Sequence, residues 1–175
     1  MKIEDHIRTV PNFPSDGIMF RDVSTLLFDA TVFKTTIDQF AERWSDKKID
    51  IIAGIDARGF IFGAALSYKL GLPLTLCRKK GKLPAETISE KYALEYGIAE
   101  LEVHVDSVRK SQSVLIVDDL IATGGTALAA VSLIKKLGAQ IAGCGFVVDL
   151  PEVGGSMKLR QANIEVRSLV EFEGP

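Results

Sequence analysis

Residues 114–126 read VLIVDDLIATGGT, and the succession of residue types in this stretch decides how the rest of the chain folds. Val114–Val117 is a short apolar run rich in β-branched residues, the composition of a strand buried on both faces. Asp118 and Asp119 close the run, and Ala122, Thr123, Gly124, Gly125 and Thr126 form a turn of small residues. From Gly125 the pattern becomes helical. Leu128, Val131, Ile134 and Leu137 share one face, Lys135 and Lys136 fall in the last turn, and Gly138 stops the helix.

The same succession recurs on either side. DIIAGID at 50–56 reads as a strand, the stretch 59–70 as a helix closed by Gly71, and LPLTLC at 72–77 as a second strand. IAGCGFVV at 141–148 follows the helix that begins at Gly125, and NIEVRSLV at 163–170 is suited to a last strand. Thr31–Trp44 carries Phe33, Ile37, Phe40, Ala41 and Trp44 at helical spacing behind Asp29, a residue suited to an N-cap. Strands alternating with helices of this length predict βαβ crossovers, hence an α/β fold with a central parallel sheet flanked by helices. Such sheets place their ligands beyond the carboxyl ends of the strands, which directs attention to 56–60, 77–82 and 118–126.

Composition sets the outer bounds. The chain has 175 residues, 47% hydrophobic and 25% charged, enough for one domain with one sizeable core. A formal charge of −2 supplies no global field for wrapping nucleic acid or an anionic membrane, so neither is expected as a partner. Cys77 and Cys144 each sit in an apolar run and read as buried, reduced thiols. The first residues are mixed in charge, and no run of about 18 apolar residues occurs. The expected location is the cytoplasm.

Against the alternation stands 78–100, RKKGKLPAETISEKYALEYGIAE, in which Gly81, Pro84 and scattered charge are expected to prevent any long strand or helix. Loops of this length are usually functional. Arg78, Lys79, Lys80 and Lys82 concentrate enough charge there for a local anion site in a net-acidic protein.

The turn at 122–126 opens a helix with little side chain in the way, so its unpaired backbone N–H groups and the helix dipole favour a phosphate, with Thr123 and Thr126 as further donors. Neither the GxxxxGK[ST] loop nor a helix-opening GxGxxG is present. Asp118 and Asp119 would repel a bare phosphate. Vicinal sugar hydroxyls, which donate to carboxylates, or a Mg2+ ion resolve that conflict, and a phosphorylated ribose satisfies both halves of the motif.

The acidic pair followed by ATGGT resembles the phosphoribosyl diphosphate motif of the type I phosphoribosyltransferases. PNFPSDGIMFRDVS, IAGIDARGFIFG, RKKGKLP and YALEYGIAELE extend the similarity over nearly the whole chain, toward members acting on adenine. The resemblance implies a single domain over 1–175, with a small base-binding hood at 1–30 and a flexible active-site loop at 78–100. It also implies formation of AMP and diphosphate from adenine and 5-phospho-α-D-ribose 1-diphosphate, with Mg2+ as cofactor, and a homodimer. Ala57, Arg58 and Gly59 would receive the diphosphate, with Arg78 and Lys82 assisting. Met19, Phe20 and Arg21 would form the adenine pocket, Phe20 stacking on the base and the backbone of Met19 and Arg21 reading its edge. Glu95 would assist proton loss from N9, with Tyr96 packing against the sugar or the closing loop. Mg2+ would be held mainly by the substrate, with Asp118 and Asp119 reaching it through hydroxyls or water. A transferase for xanthine or another 6-oxopurine, and a regulator that senses phosphoribosyl diphosphate, are the alternatives.

Overall fold

In a computed structural model describing residues 1–94 and 96–175, the chain forms the α/β architecture expected. The hairpin β1 (Arg8–Pro11) and β2 (Met19–Asp22) comes first, followed by α1 (Ala30–Arg43), β3 (Ile51–Ile55), α2 (Arg58–Leu70) and β4 (Leu74–Lys79). Next come β5 (Thr87–Ala93), β6 (Ile98–His104), β7 (Ser113–Ile121), α3 (Gly125–Lys136), β8 (Gln140–Asp149), α4 (Gly155–Gln161) and β9 (Val166–Glu171). A seven-stranded sheet runs in the order β5-β6-β4-β3-β7-β8-β9. The pairs β4/β3, β3/β7, β7/β8 and β8/β9 are parallel, whereas β6 pairs antiparallel with both β4 and β5.

Local chemistry sets the element ends. The Asp29 carboxylate caps α1 by accepting from Thr31 N–H (2.8 Å) and Val32 N–H (3.0 Å). Gly71, at φ 65°, ends α2 in the left-handed conformation that a side chain resists.

β7 is buried on both faces, and its alternate side chains enter two cores. Val114 and Ile116 pack with Ala130, Leu133 and Ile134 of α3, while Leu115 and Val117 pack with Phe40 of α1 and Phe62 and Leu66 of α2. Each fully buried side chain of this size contributes about 1.5–3 kcal/mol, so the sheet is clamped from both sides around β7. Cys77 and Cys144 are buried as expected, and loss of solvent pushes the Cys77 thiol up to about 12. Among the described residues, no helix is long and apolar enough to cross a membrane.

Two expectations need correction. The stretch 78–100 is largely a β-hairpin: β5 and β6 pair from Thr87↔His104 to Ala93↔Ile98. Ile88, Glu90 and Tyr92 lie on the half-buried face of β5, and Ile88 and Tyr92 pack on the core shared with α3. Period-two alternation was masked because its middle member is Glu90, whose carboxylate is paired with Lys136 of α3. β6 also pairs with Arg78 and Lys79, extending β4 beyond Cys77. The second correction concerns β7, which does not stop at the acids but continues through them to Ile121, with Asp118 opposite Phe146 and Leu120 opposite Val148 of β8.

Candidate active site

The carboxyl ends of β3, β4 and β7 converge on a cavity of about 400 Å³, bordered by Asp56, Arg58, Lys79, Tyr92, Asp118 and Thr126. Because β7 runs on past the acids, their side chains alternate. Asp119 is buried, and its Oδ2 accepts from Arg58 Nε at 2.5 Å. Asp118 is half-buried, with Oδ1 accepting from the Asp119 N–H at 2.8 Å. Burial, and then the neighbouring Asp119 charge, push the Asp118 pKa well above the ordinary carboxylate value.

α2 starts close to this pair because residue 59 has no side chain. A Cβ on Gly59 would lie 2.8 Å from Asp118 Oδ1 and 2.9 Å from Val117 O, so Gly59 brings the first turn of α2 against β7. Ala57 and Arg58 border the cavity, but Arg58 is engaged with Asp119 rather than standing free for diphosphate. Asp56, not singled out from sequence, binds the ends of β3 and β4 together by accepting from Lys79 N–H (3.3 Å) and Arg78 Nε (3.5 Å). The Arg78 guanidinium also lies 5.7 Å from the Phe60 ring centroid, so Arg78 is engaged by Asp56 and Phe60 and does not border the cavity.

Of the lysines, Lys79 borders the cavity, Lys80 pairs with Glu100 at 3.0 Å, and Lys82 is exposed in the turn between β4 and β5, away from that border. The expected place of Lys82 on diphosphate is not seen in this arrangement. The turn is held by Glu102, which is buried and accepts from Gly81 N–H (2.6 Å) and Thr87 Oγ1 (2.5 Å). Tyr96 is exposed and does not border this cavity, and the ring that does is that of Tyr92. Glu95 lies outside the described residues.

A second hollow, of about 160 Å³, is lined by Ala122, Thr123, Gly124, Gly125 and Thr126, with Asp118 and Phe146. The first intrahelical bond of α3 runs from Leu128 N–H to Gly124 O, leaving the N–H groups ahead of it directed at the hollow. Gly124 adopts φ 85° there. The loop is braced from behind by the start of α4, an element that sequence reading passed over. Gly155 N–H donates to Ala122 O (2.9 Å), a Cβ on Gly155 would lie 2.6 Å from Gly124 N and strike Ala122 O, and Lys158 Nζ donates to Thr123 O (3.3 Å). The Gly154-Gly155 pair at 154–155 was the available signal.

A third cavity, about 290 Å³, is bordered by Met19, Phe20 and Arg21 together with Leu120, Leu150 and Pro175. Its walls are mostly apolar, and Phe13 meets Phe20 edge-on with centroids 5.1 Å apart. Pro11, without an N–H, lies opposite Met19, and Met19 N–H donates away from the hairpin to Pro175 O at 3.2 Å. Met19 is therefore a non-hydrogen-bonded position of the β1/β2 ladder, and so is Arg21 two residues on. The Met19 carbonyl and the Arg21 N–H face outward, off the hairpin. Leu120 and Arg58 border both this cavity and the acidic one, so the two open onto each other.

The phosphoribosyl transferase domain family matches residues 27–159. The chain is similar to the adenine phosphoribosyltransferase of Nitrosospira multiformis, 51% identical over 174 residues, covering 99% of each chain. In fold it resembles the adenine phosphoribosyltransferase of Thermoanaerobacter pseudethanolicus (TM-score 0.93, 44% identity, 97% of this chain and 98% of that one). The Saccharomyces cerevisiae enzyme, solved with an imino-altritol bisphosphate and adenine, is also similar (TM-score 0.90, 37% identity, 96% of each chain).

Proposed function

The chain belongs to the adenine phosphoribosyltransferases of the type I phosphoribosyltransferase family, and from that premise we infer that it forms AMP and diphosphate from adenine and 5-phospho-α-D-ribose 1-diphosphate. The observation that carries the choice of base is the outward-facing Met19 carbonyl and Arg21 N–H beside an apolar cavity. Adenine presents a 6-amino donor and an N1 acceptor, the complement of that pair. A 6-oxopurine presents a carbonyl and an N1–H, setting acceptor against acceptor and donor against donor. Xanthine and its 6-oxo relatives are disfavoured on that ground.

The 5′-phosphate would sit on the N–H groups at the start of α3, and the ribose hydroxyls on Asp118 and Asp119. Arg58 would leave Asp119 as the hydroxyls replace it and turn to the diphosphate, its forked donors bridging phosphate oxygens. Leu120, common to the base and sugar cavities, marks where N9 meets C1′. As that bond forms and the bond from C1′ to the diphosphate oxygen breaks, the N9 proton must leave, and Glu95 is assigned to receive or orient it. The 78–100 hairpin would exclude water that competes for the sugar.

Mg2+ is expected with the donor. Among the described residues no group of three or more carboxylate, histidine or cysteine side chains could hold it. The donor set fits a cation held mainly by ligand oxygens, with Asp118 reaching it through a hydroxyl or water. When bound, it neutralises charge on the departing diphosphate. The family resemblance also supports a homodimer, for which the exposed Ile61 and Tyr68 on α2 offer apolar surface, and the buried reduced cysteines suit the cytoplasm.

The test is an assay of adenine, hypoxanthine, guanine and xanthine with the phosphoribosyl donor. AMP from adenine alone is expected, and preferential turnover of a 6-oxopurine would overturn the choice of base.

A further inference from the structure

The residues following β9 do more than end the sheet. Phe172 N–H donates to Asp149 O at 3.1 Å, and its ring lies beneath the Arg21 guanidinium, 4.3 Å from ring centroid to the guanidinium carbon. Glu173 O accepts from Arg21 Nη2 at 3.3 Å, and Gly174 N–H donates to Glu152 Oε2 at 3.2 Å. Pro175 O accepts the Met19 N–H at 3.2 Å, and Pro175 borders the base cavity. The segment thus grips alternate residues of β2, Arg21 and Met19, which are the two whose backbone faces the base.

We propose that Phe172–Pro175 is a specificity element of the base site, acting by withdrawing the Met19 N–H from the cavity edge; the proposal rests on the adenine reading above. With that donor occupied, the Met19 group left to the base is its carbonyl, which suits a 6-amino group. Releasing it sets a backbone donor beside the Met19 carbonyl, the pair that the O6 and N1–H of a 6-oxopurine require. Proline suits the position because it offers a carbonyl and no N–H of its own, so it caps the donor without presenting another. The anchors at Phe172 and Glu173 fix the segment against Arg21, so the carbonyl arrives ordered and little entropy is lost on binding the base.

The test compares the full chain with a variant lacking Pro175, with Pro175→Ala, which retains the carbonyl, and with Phe172→Ala, which keeps the length of the segment and Pro175 but removes the ring that anchors it. The readouts are kcat/KM for adenine and for hypoxanthine at saturating donor, with donor affinity measured by calorimetry. Loss of Pro175 is expected to raise the KM for adenine roughly tenfold and to shift the hypoxanthine-to-adenine ratio toward hypoxanthine, with donor affinity unchanged. Phe172→Ala should shift the ratio the same way, and Pro175→Ala, which keeps the carbonyl but adds an N–H, should shift it less than loss of the residue. An unchanged ratio, or a proportional fall for both bases, would overturn the proposal while leaving the adenine reading intact. Failure of the unaltered chain to use adenine would instead remove that reading.

Discussion

Two carboxyls with raised pKa values carry opposite meanings. Asp118 faces the ligand cavity, and its raised pKa belongs to a group waiting for partners. Asp149, at the end of β8, is 1% exposed, and among the described residues neither carboxylate oxygen has a hydrogen-bond partner. Burial pushes its pKa up, and the neighbouring Glu171 charge adds to the shift. A carboxyl whose folded pKa exceeds its unfolded value binds its proton more tightly when folded. Stability is therefore retained at low pH and falls as pH climbs from the unfolded carboxylate range through the folded value. Asp149→Asn, which cannot ionise, should raise Tm at pH 8 and lose that advantage near pH 4, with each kcal/mol showing as about 2–4 °C. Calorimetric scans of both proteins across pH would reveal it, and an advantage independent of pH would disprove the ionisation account. Gly59→Ala tests the close approach of α2 to β7. The clash with Val117 O and Asp118 involves backbone that cannot swing aside, so about 1–3 kcal/mol should be lost in urea unfolding, together with donor affinity.

Among the elements, the β5/β6 hairpin brings together features that sequence pattern leaves apart. Its strands carry Tyr92 to the sugar cavity, and Glu102 on β6 fixes the turn that follows Lys79 and Lys80. Glu102→Ala should leave the Gly81 N–H and Thr87 hydroxyl without their acceptor and loosen that basic turn. The expected kinetic result is a KM for the phosphoribosyl donor raised about five- to tenfold, with the KM for adenine nearly constant, since a net hydrogen-bond contribution of about 1 kcal/mol corresponds to a factor of that size. Equal changes in both KM values would indicate general damage instead. The hairpin escaped sequence reading for a physical reason. Its inward face includes Glu90, which is accommodated only because Lys136 of α3 lies across from it, and a partner supplied by another element leaves no trace in local alternation.

Across the whole molecule, a net charge of −2 coexists with the cationic side chains of Arg58 and Lys79 bordering the cavity beside an acidic pair. The donor is a polyanion and adenine is neutral, so electrostatic attraction helps only one of them. Raising ionic strength from about 0.05 to 0.5 M shortens the screening length from roughly 14 to 4 Å. The KM for the donor should rise several-fold while that for adenine stays flat, as initial-rate measurements at matched Mg2+ would show. A parallel rise in both would argue against local steering.

The legibility of the fold follows from where each signal is encoded. Strand β7, the turn at 122–126, helix α3 and the caps at Asp29 and Gly71 were readable because apolar period, small-residue turns and capping groups act between residues near in sequence. By themselves they determined a parallel α/β sheet and an anion site at the end of β7, and similarity of motif extended this to the sugar phosphate and the base. Tertiary structure alone decided that Arg58 spends its charge on Asp119, that Gly155 braces the phosphate loop, that Lys79 rather than Lys82 borders the cavity, and that Pro175 takes the Met19 N–H. Each of these is a contact between residues distant in sequence, set by how strands and helices pack, and no local pattern of residue types encodes which donor will meet which acceptor.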